Sequence, residues 1–186
     1  GRERDVRDVD SAMQAFDRLR RLVLDLLDVE RLDRGIFTLS VEMINLAALA
    51  RETASVLQTP QAEIHVYAPD ELNVAVDPDR IHQVLENLLS NAINYAPAGV
   101  PIEVRVTSET REDTTWAVLA VRDEGPGIPA DLLPSLFNRY VGGTASVGLG
   151  LGLYLARGIA EAHGGRLMGE SAPDAGTTFR LELPMP

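Results

Sequence analysis

The chain has 186 residues, 45% of them hydrophobic, enough for one ordinary domain with an accessory element in the α/β or α+β class. Its 28 acidic residues against 17 basic ones give a net charge of −11, which argues against a nucleic-acid surface, since that would need a basic stripe, and against an anionic membrane. There is no cysteine for disulfides, thiolate nucleophiles or metal sites, and every basic residue is arginine, so no lysine serves a Schiff base or a phosphate loop.

No run of about 18 apolar residues occurs and no signal peptide opens the chain. It begins at Gly1 inside a helical pattern. The expectation is a cytoplasmic piece of a longer protein, with membrane anchoring of the parent left open.

From Val6 the apolar residues Val9, Met13, Phe16, Leu19, Val23 and Leu26 recur at steps of three and four, predicting a long amphipathic helix to Asp33, stopped by Gly35. Its apolar face calls for a partner: a further helix outside the chain, a second copy, or the domain itself. Phe37 to Val41 reads as a short strand, and Asn45 caps a helix to Leu57. Glu63 to Ala68 and Leu72 to Val76 read as strands joined by a turn at Pro69 and Asp70.

Asp77, Pro78 and Asp79 start the next helix, which carries Gln83 to Tyr95. There Asn87, Asn91, Asn94 and Tyr95 follow the i, i+4, i+7, i+8 rule on one face, while Val84, Leu85, Leu88, Leu89 and Ile93 form an apolar stripe. Asparagines are poor helix formers, so a column of them points to a task beyond solvation.

Pro97 to Pro101 is a breaker-rich loop before two strands, Ile102 to Val106 and Trp116 to Val121, joined by a charged hairpin connection from Thr110 to Thr114. Then come an amphipathic segment at Leu132 to Tyr140, a small loop at Val141 to Val147 and a glycine-led helix from Gly148 to His163. Strands at Arg166 to Ser171 and Thr177 to Leu183 close the chain. The hairpin connections disfavour a doubly wound sheet.

Two glycine segments carry chemistry. In Asp123-Glu-Gly-Pro-Gly-Ile128, a carboxylate just past a strand sits with two glycines that let a planar ligand approach, and it can accept from an exocyclic amine such as that of adenine; an ordinary turn is the alternative. In Gly148-Leu-Gly-Leu-Gly-Leu153, three alternating glycines lead into a helix, so unpaired amides and the helix dipole converge as a phosphate site, with close helix packing as the alternative. The spacing is neither a P-loop nor a dinucleotide fingerprint. A nucleotide with Mg2+ fits, because this cation takes oxygen ligands, keeps waters and is held by few protein groups. The Asn91 amide oxygen would serve.

Asn87 with Asn91, Asp123-Glu-Gly-Pro-Gly, Leu136-Phe-Asn-Arg-Tyr, Gly148-Leu-Gly-Leu-Gly-Leu and Gly176-Thr-Thr-Phe resemble, in order and spacing, the N, first glycine, F, second glycine and third glycine boxes of sensor histidine kinases. Residues 1 to about 35 resemble the second helix of the dimerisation and phosphotransfer hairpin, leaving 36–186 as the ATP-binding catalytic domain. The resemblance implies the Bergerat fold shared with gyrase, Hsp90 chaperones and MutL: an α/β (α+β) two-layer sandwich, its mixed sheet covered by helices on one face.

By that resemblance, Asn91 would coordinate Mg2+ and Asn87 would stand near the phosphates of ATP. Tyr95 would lie along the adenine and Asp123 would accept from its amino group, with Gly125, Gly127 and Ile128 passing the base. Gly148, Leu149, Gly150, Leu151 and Gly152 would offer amides to the phosphates. Arg139 would approach the terminal phosphate, Phe137 and Tyr140 would anchor a lid, and Thr177 would lie under the base. Hydrolytic relatives place a glutamate where Asn87 stands; an amide cannot accept the proton, and Glu86 lies about 100° away around the helix. Phosphoryl transfer to an outside histidine, then to a response regulator, is the implied activity, in a homodimeric parent.

The chain departs from the family in lacking the phosphoacceptor motif; His65, His82 and His163 sit elsewhere, His163 as a structural residue at a helix end. Asn94 replaces the usual basic residue before the tyrosine, and the loop from Val141 to Val147 is short. The fragment is therefore expected to bind ATP without phosphorylating itself, and to self-associate weakly at most. A docking module without transfer activity and a serine kinase of the same fold are the alternatives; the long first helix argues against the latter.

Overall fold

The computed structural model describes residues 2–141 and 149–185. It divides into two compact units, Gly1–Phe37 and Thr38–Pro186. The first unit is dominated by α1, Arg2–Asp33. Gly35 ends it at φ 65°, donating to the Leu32 carbonyl while Ile36 donates to that of Arg31, the paired bonds of a Schellman stop. Met13, Phe16, Leu19 and Val23 all stand exposed on α1. No described helix is long and apolar enough to cross a membrane.

The second unit runs β1 (Glu42–Asn45), α2 (Leu46–Leu57), β2 (Ile64–Tyr67), β3 (Asn73–Val76), α3 (Pro78–Tyr95), β4 (Ile102–Arg111), β5 (Thr114–Asp123), a 3-10 turn at Leu133–Phe137, α4 (Gly152–Ala162), β6 (Arg166–Ser171) and β7 (Thr177–Pro184). The five-stranded sheet has the order β2-β4-β5-β7-β6, with β2 and β4 parallel and the other neighbours antiparallel. Along the long strands alternate residues bury on one face: Ile102, Val104 and Val106 on β4, Leu119 and Val121 on β5, Leu181 and Leu183 on β7. Against them lie Leu46, Ala47 and Ala50 of α2, the Ile81–Leu89 stripe of α3, and Leu155, Ala156 and Ile159 of α4. This is the mixed sheet with helices on one face that the sequence led us to expect.

Four local expectations are corrected. Residues 37–41 form no strand; β1 begins at Glu42, because its partner is β3 in the register Glu42↔Val76 and β3 gives way to the α3 cap at Asp77. The Ser40 amide instead donates to the Asp77 carboxylate, at 2.7 Å. Nor are β2 and β3 a hairpin: β3 pairs with β1 in a separate two-stranded sheet while β2 joins β4, a choice between partners far apart in the chain. The connection between β4 and β5 shrinks to Glu112 and Asp113, both at positive φ (48° and 65°), a two-residue turn whose twist suits the hairpin. Helix α4 begins at Gly152 rather than Gly148, since Gly150 at φ 68° interrupts helical geometry; Gly148 and residues 142–147 lie outside the described residues.

The other face of the sheet holds a charge cluster that periodicity did not reveal. The Glu182 carboxylate is fully buried and accepts from Arg166 and Arg180, each at 2.7 Å, and from Arg111 at 3.1 Å. Glu109 pairs with Arg111 and, at 2.7 Å, with Arg180. Burial pushes the Glu182 carboxyl up, but the arginine hydrogen bonds outweigh it and leave the group below its ordinary range.

Candidate nucleotide-binding site

Helix α3 is anchored at its start by Asp77, whose carboxylate accepts the Arg80 amide at 3.2 Å, with Pro78 in the first turn. Its apolar stripe faces the core, which turns the asparagine column toward the α4 start. Asn87 donates from Nδ2 to the Gly152 carbonyl at 3.2 Å. One turn on, Asn91 is half-buried, Asn94 is exposed, and Tyr95 is partly exposed at the helix end.

Asp123 ends β5, buried at 5% exposure, and accepts the Gly125 amide at 2.8 Å and the Thr177 amide from β7. Burial raises its carboxyl above the usual aspartate range, and the two amides recover only part of that shift. Gly125 has no room for a side chain: a Cβ there would lie 2.7 Å from the Tyr95 carbonyl oxygen. Gly127 sits at φ 70° with the Ala172 carbonyl 1.9 Å from its would-be Cβ. The first glycine segment is thereby wedged between the end of α3 and the β6–β7 connection.

Ser171, which sequence reasoning missed, joins these parts. Its hydroxyl accepts the Ile128 amide at 2.8 Å, donates to the Gly176 carbonyl at 2.7 Å and stands 2.9 Å from the Thr177 hydroxyl. A serine closing a strand gives no sequence signal, because both partners come from other segments.

At the opposite end, Leu151 is the N-cap of α4 and supplies no side-chain cap to the first-turn amides. Leu149 is exposed and Leu151 is buried. Arg139 donates to the Tyr154 hydroxyl at 3.0 Å with its guanidinium over that ring at 4.8 Å, inside the first turn of α4. Phe137 packs edge-on against Phe179 at 6.2 Å, while Tyr140 is 65% exposed at φ 60°. Among the described residues no group of three histidine or acidic side chains could hold a metal ion. His65 stands 2.9 Å from Glu63, exposed, and His82 3.8 Å from Glu86. His163 is the C-cap of α4, as expected of a structural residue.

The eight steps from Asn87 to Tyr95 advance about 12 Å along α3. They run from the Gly152 carbonyl at the uncapped start of α4 to the Gly125 segment beside buried Asp123. A five-stranded mixed sheet carrying these features under a three-helix layer is the Bergerat ATP-binding fold.

Residues 76–186 match the family described as histidine kinase-, DNA gyrase B- and HSP90-like ATPase, and the chain belongs to that family. Among curated proteins it is similar to the signal transduction histidine-protein kinase AfsQ2 of Streptomyces coelicolor, 35% identical over 90% of this chain and 31% of that protein. Among solved structures it resembles full-length ShkA in complex with AMPPNP, with a TM-score of 0.79 and 26% identity over 96% of this chain and 38% of that one. It also resembles the catalytic domain of the histidine kinase ThkA, at 0.65 and 29% over 78% and 98%. The chain spans about a third of the length of the curated relatives it matches.

Proposed function

We propose that this chain binds ATP with Mg2+ and passes the γ-phosphoryl group to a histidine on a helix outside the chain, for relay to a response regulator. In this reading α1 is the second helix of the dimerisation hairpin, and 36–186 is the catalytic domain. The observation that carries it is Asn87: its amide is engaged with Gly152 at the mouth of α4, where a hydrolytic enzyme needs a carboxylate to take a proton from water. With no general base there, the site works by positioning and by charge stabilisation, as phosphoryl transfer requires.

Asp123 would accept from the adenine amino group, Tyr95 and Ile128 would flank the base with Thr177 beneath it, and Gly152 with the following α4 amides would meet the phosphates. Arg139, held over the first turn of α4, would approach the terminal phosphate. The half-buried Asn91 amide suits Mg2+, an oxygen-seeking cation that keeps waters and shares its shell with phosphates. When bound, that cation would neutralise phosphate charge beside an acidic chain.

Calorimetric titration of a non-hydrolysable ATP analogue, with and without Mg2+, tests the reading. Asp123→Asn should lose at least about tenfold in affinity, on the order of one good charged hydrogen bond. Asn91→Ala should lose the Mg2+ dependence. Absence of binding by the unaltered chain would remove the catalytic reading and leave a docking module.

A further inference from the structure

Helices α3 and α4 meet at two polar contacts, one at each end. At one end Asn87 donates to the Gly152 carbonyl. At the other, His163 Nε2 accepts the Asp77 amide at 3.0 Å while its Nδ1 stands 2.8 Å from the Ile159 carbonyl of its own helix. An amide donor on Nε2 and a carbonyl acceptor on Nδ1 together select the tautomer with the proton on Nδ1. Asp77 needs this acceptor: it is the buried N-cap of α3, its carboxylate is occupied by the Arg80 and Ser40 amides, and its own N–H has no place in the helix ladder.

The two contacts bracket segments of nearly equal length on helices running in opposite directions. From Asp77 to Asn87 is ten steps along the chain and from Gly152 to His163 eleven, about 15 Å and about 16.5 Å of axial rise. Between them the helices bury only apolar residues, Ile81, Val84 and Leu85 on α3 and Leu155, Ala156 and Ile159 on α4. Apolar burial is non-directional and sets axial register weakly. Directional bonds at both ends set it.

The geometry points to His163 as a positioning residue for the phosphate end of the site: through the Asp77 amide it sets the register of α4 on α3, and so the distance from the uncapped α4 amides to Asn87 and Asn91. This rests on the nucleotide reading above. The base side is built from β5, the Gly125–Ile128 segment, Ser171, Thr177 and Tyr95 at the far end of α3, and none of these touches the His163–Asp77 contact. Loss of the contact therefore displaces the phosphate subsite and spares the base subsite.

The test compares the non-hydrolysable ATP analogue with adenosine, each titrated into the unaltered chain, His163→Asn and His163→Gln. Asparagine keeps a donor for Ile159 but is too short to offer Asp77 an acceptor; glutamine brings its carbonyl oxygen to where Nε2 stood. We expect His163→Asn to weaken the analogue about fivefold or more, the equivalent of one lost hydrogen bond, to leave adenosine unchanged, and to speed hydrogen exchange at the Asp77 amide. His163→Gln should restore both the analogue affinity and the protection. Equal losses for the two ligands, no loss in a folded His163→Asn, or failure of both variants to fold would overturn the positioning role. If the unaltered chain binds neither ligand, the nucleotide reading itself fails and the proposal goes with it, an outcome distinct from the others.

Discussion

Gly125 and Tyr95 meet backbone to backbone: a Cβ on Gly125 would stand 2.7 Å from the Tyr95 carbonyl oxygen and 2.7 Å from Asp123 Oδ1. The end of the asparagine helix and the segment after β5 are in contact only because position 125 lacks a side chain. Gly125→Ala must push one of them away. The expected cost is that of overpacking, about 1–3 kcal/mol, with a loss of nucleotide affinity because both the Tyr95 end and the Asp123 carboxylate move. Denaturant unfolding and calorimetry on the same variant check both halves; full affinity in a folded variant would show that the contact is not needed for binding.

Asp123 should reveal a conflict between stability and binding. Its folded-state pKa is raised by burial, so the ionised carboxylate opposes folding above that pKa, and the opposition fades as the pH falls through it. Asp123→Asn removes the buried charge while keeping an oxygen for the Gly125 and Thr177 amides. The variant should melt at or above the parent's temperature at neutral pH, with the difference shrinking toward acid, even as it loses the ATP analogue. Thermal melts from neutral to acidic pH decide this, and a variant less stable than the parent at neutral pH would contradict it.

Glu182 has the opposite sign. Its carboxyl is buried, yet hydrogen bonds from Arg180, Arg166 and Arg111 hold it below its ordinary range. Its stabilisation is therefore fully present above the unfolded glutamate pKa and is lost as the pH falls through the lower folded value. Glu182→Gln leaves arginines around a neutral group and should cost about 3 kcal/mol at neutral pH, the usual penalty of breaking a buried pair. The deficit should narrow in acid, and nucleotide affinity should not change, since the cluster lies on the sheet face away from the helices. Urea titrations at neutral and acidic pH provide the measurement.

Ser171 offers a contrast to His163. Ser171→Ala removes the acceptor of the Ile128 amide and the donor to the Gly176 carbonyl. A loss of about 1–2 kcal/mol in stability is expected from one unsatisfied amide. Because these bonds join the two segments around the base, adenosine and the ATP analogue should weaken together. Competition calorimetry distinguishes that outcome from a loss confined to the analogue.

Much of the fold was legible along the chain because its signals are local. The cap at Asp77 with Pro78, the stripe from Val84 to Leu89 and the Asn45 cap place two helices within a residue of their observed starts. The asparagine spacing alone put Asn87 and Asn91 on one helical face, and the glycines before α4 marked an uncapped helix start. The stretch from Phe37 to Val41 misled because strand-forming residues do not choose a strand's partner; the register Glu42↔Val76 did.

What the sequence by itself determined is therefore the set of elements, the helix faces and the asparagine and glycine segments of the candidate site, all governed by interactions within a few residues. The tertiary structure alone decided that β2 pairs with β4 instead of β3, that Glu182 gathers three arginines, that Ser171 braces Ile128 against Gly176, and that His163 reaches Asp77 across 86 positions. Those contacts depend on which of several competing surfaces pack first and best. Periodicity reports only that a residue faces inward, and the assembled sheet with its helices selects the partner it finds there.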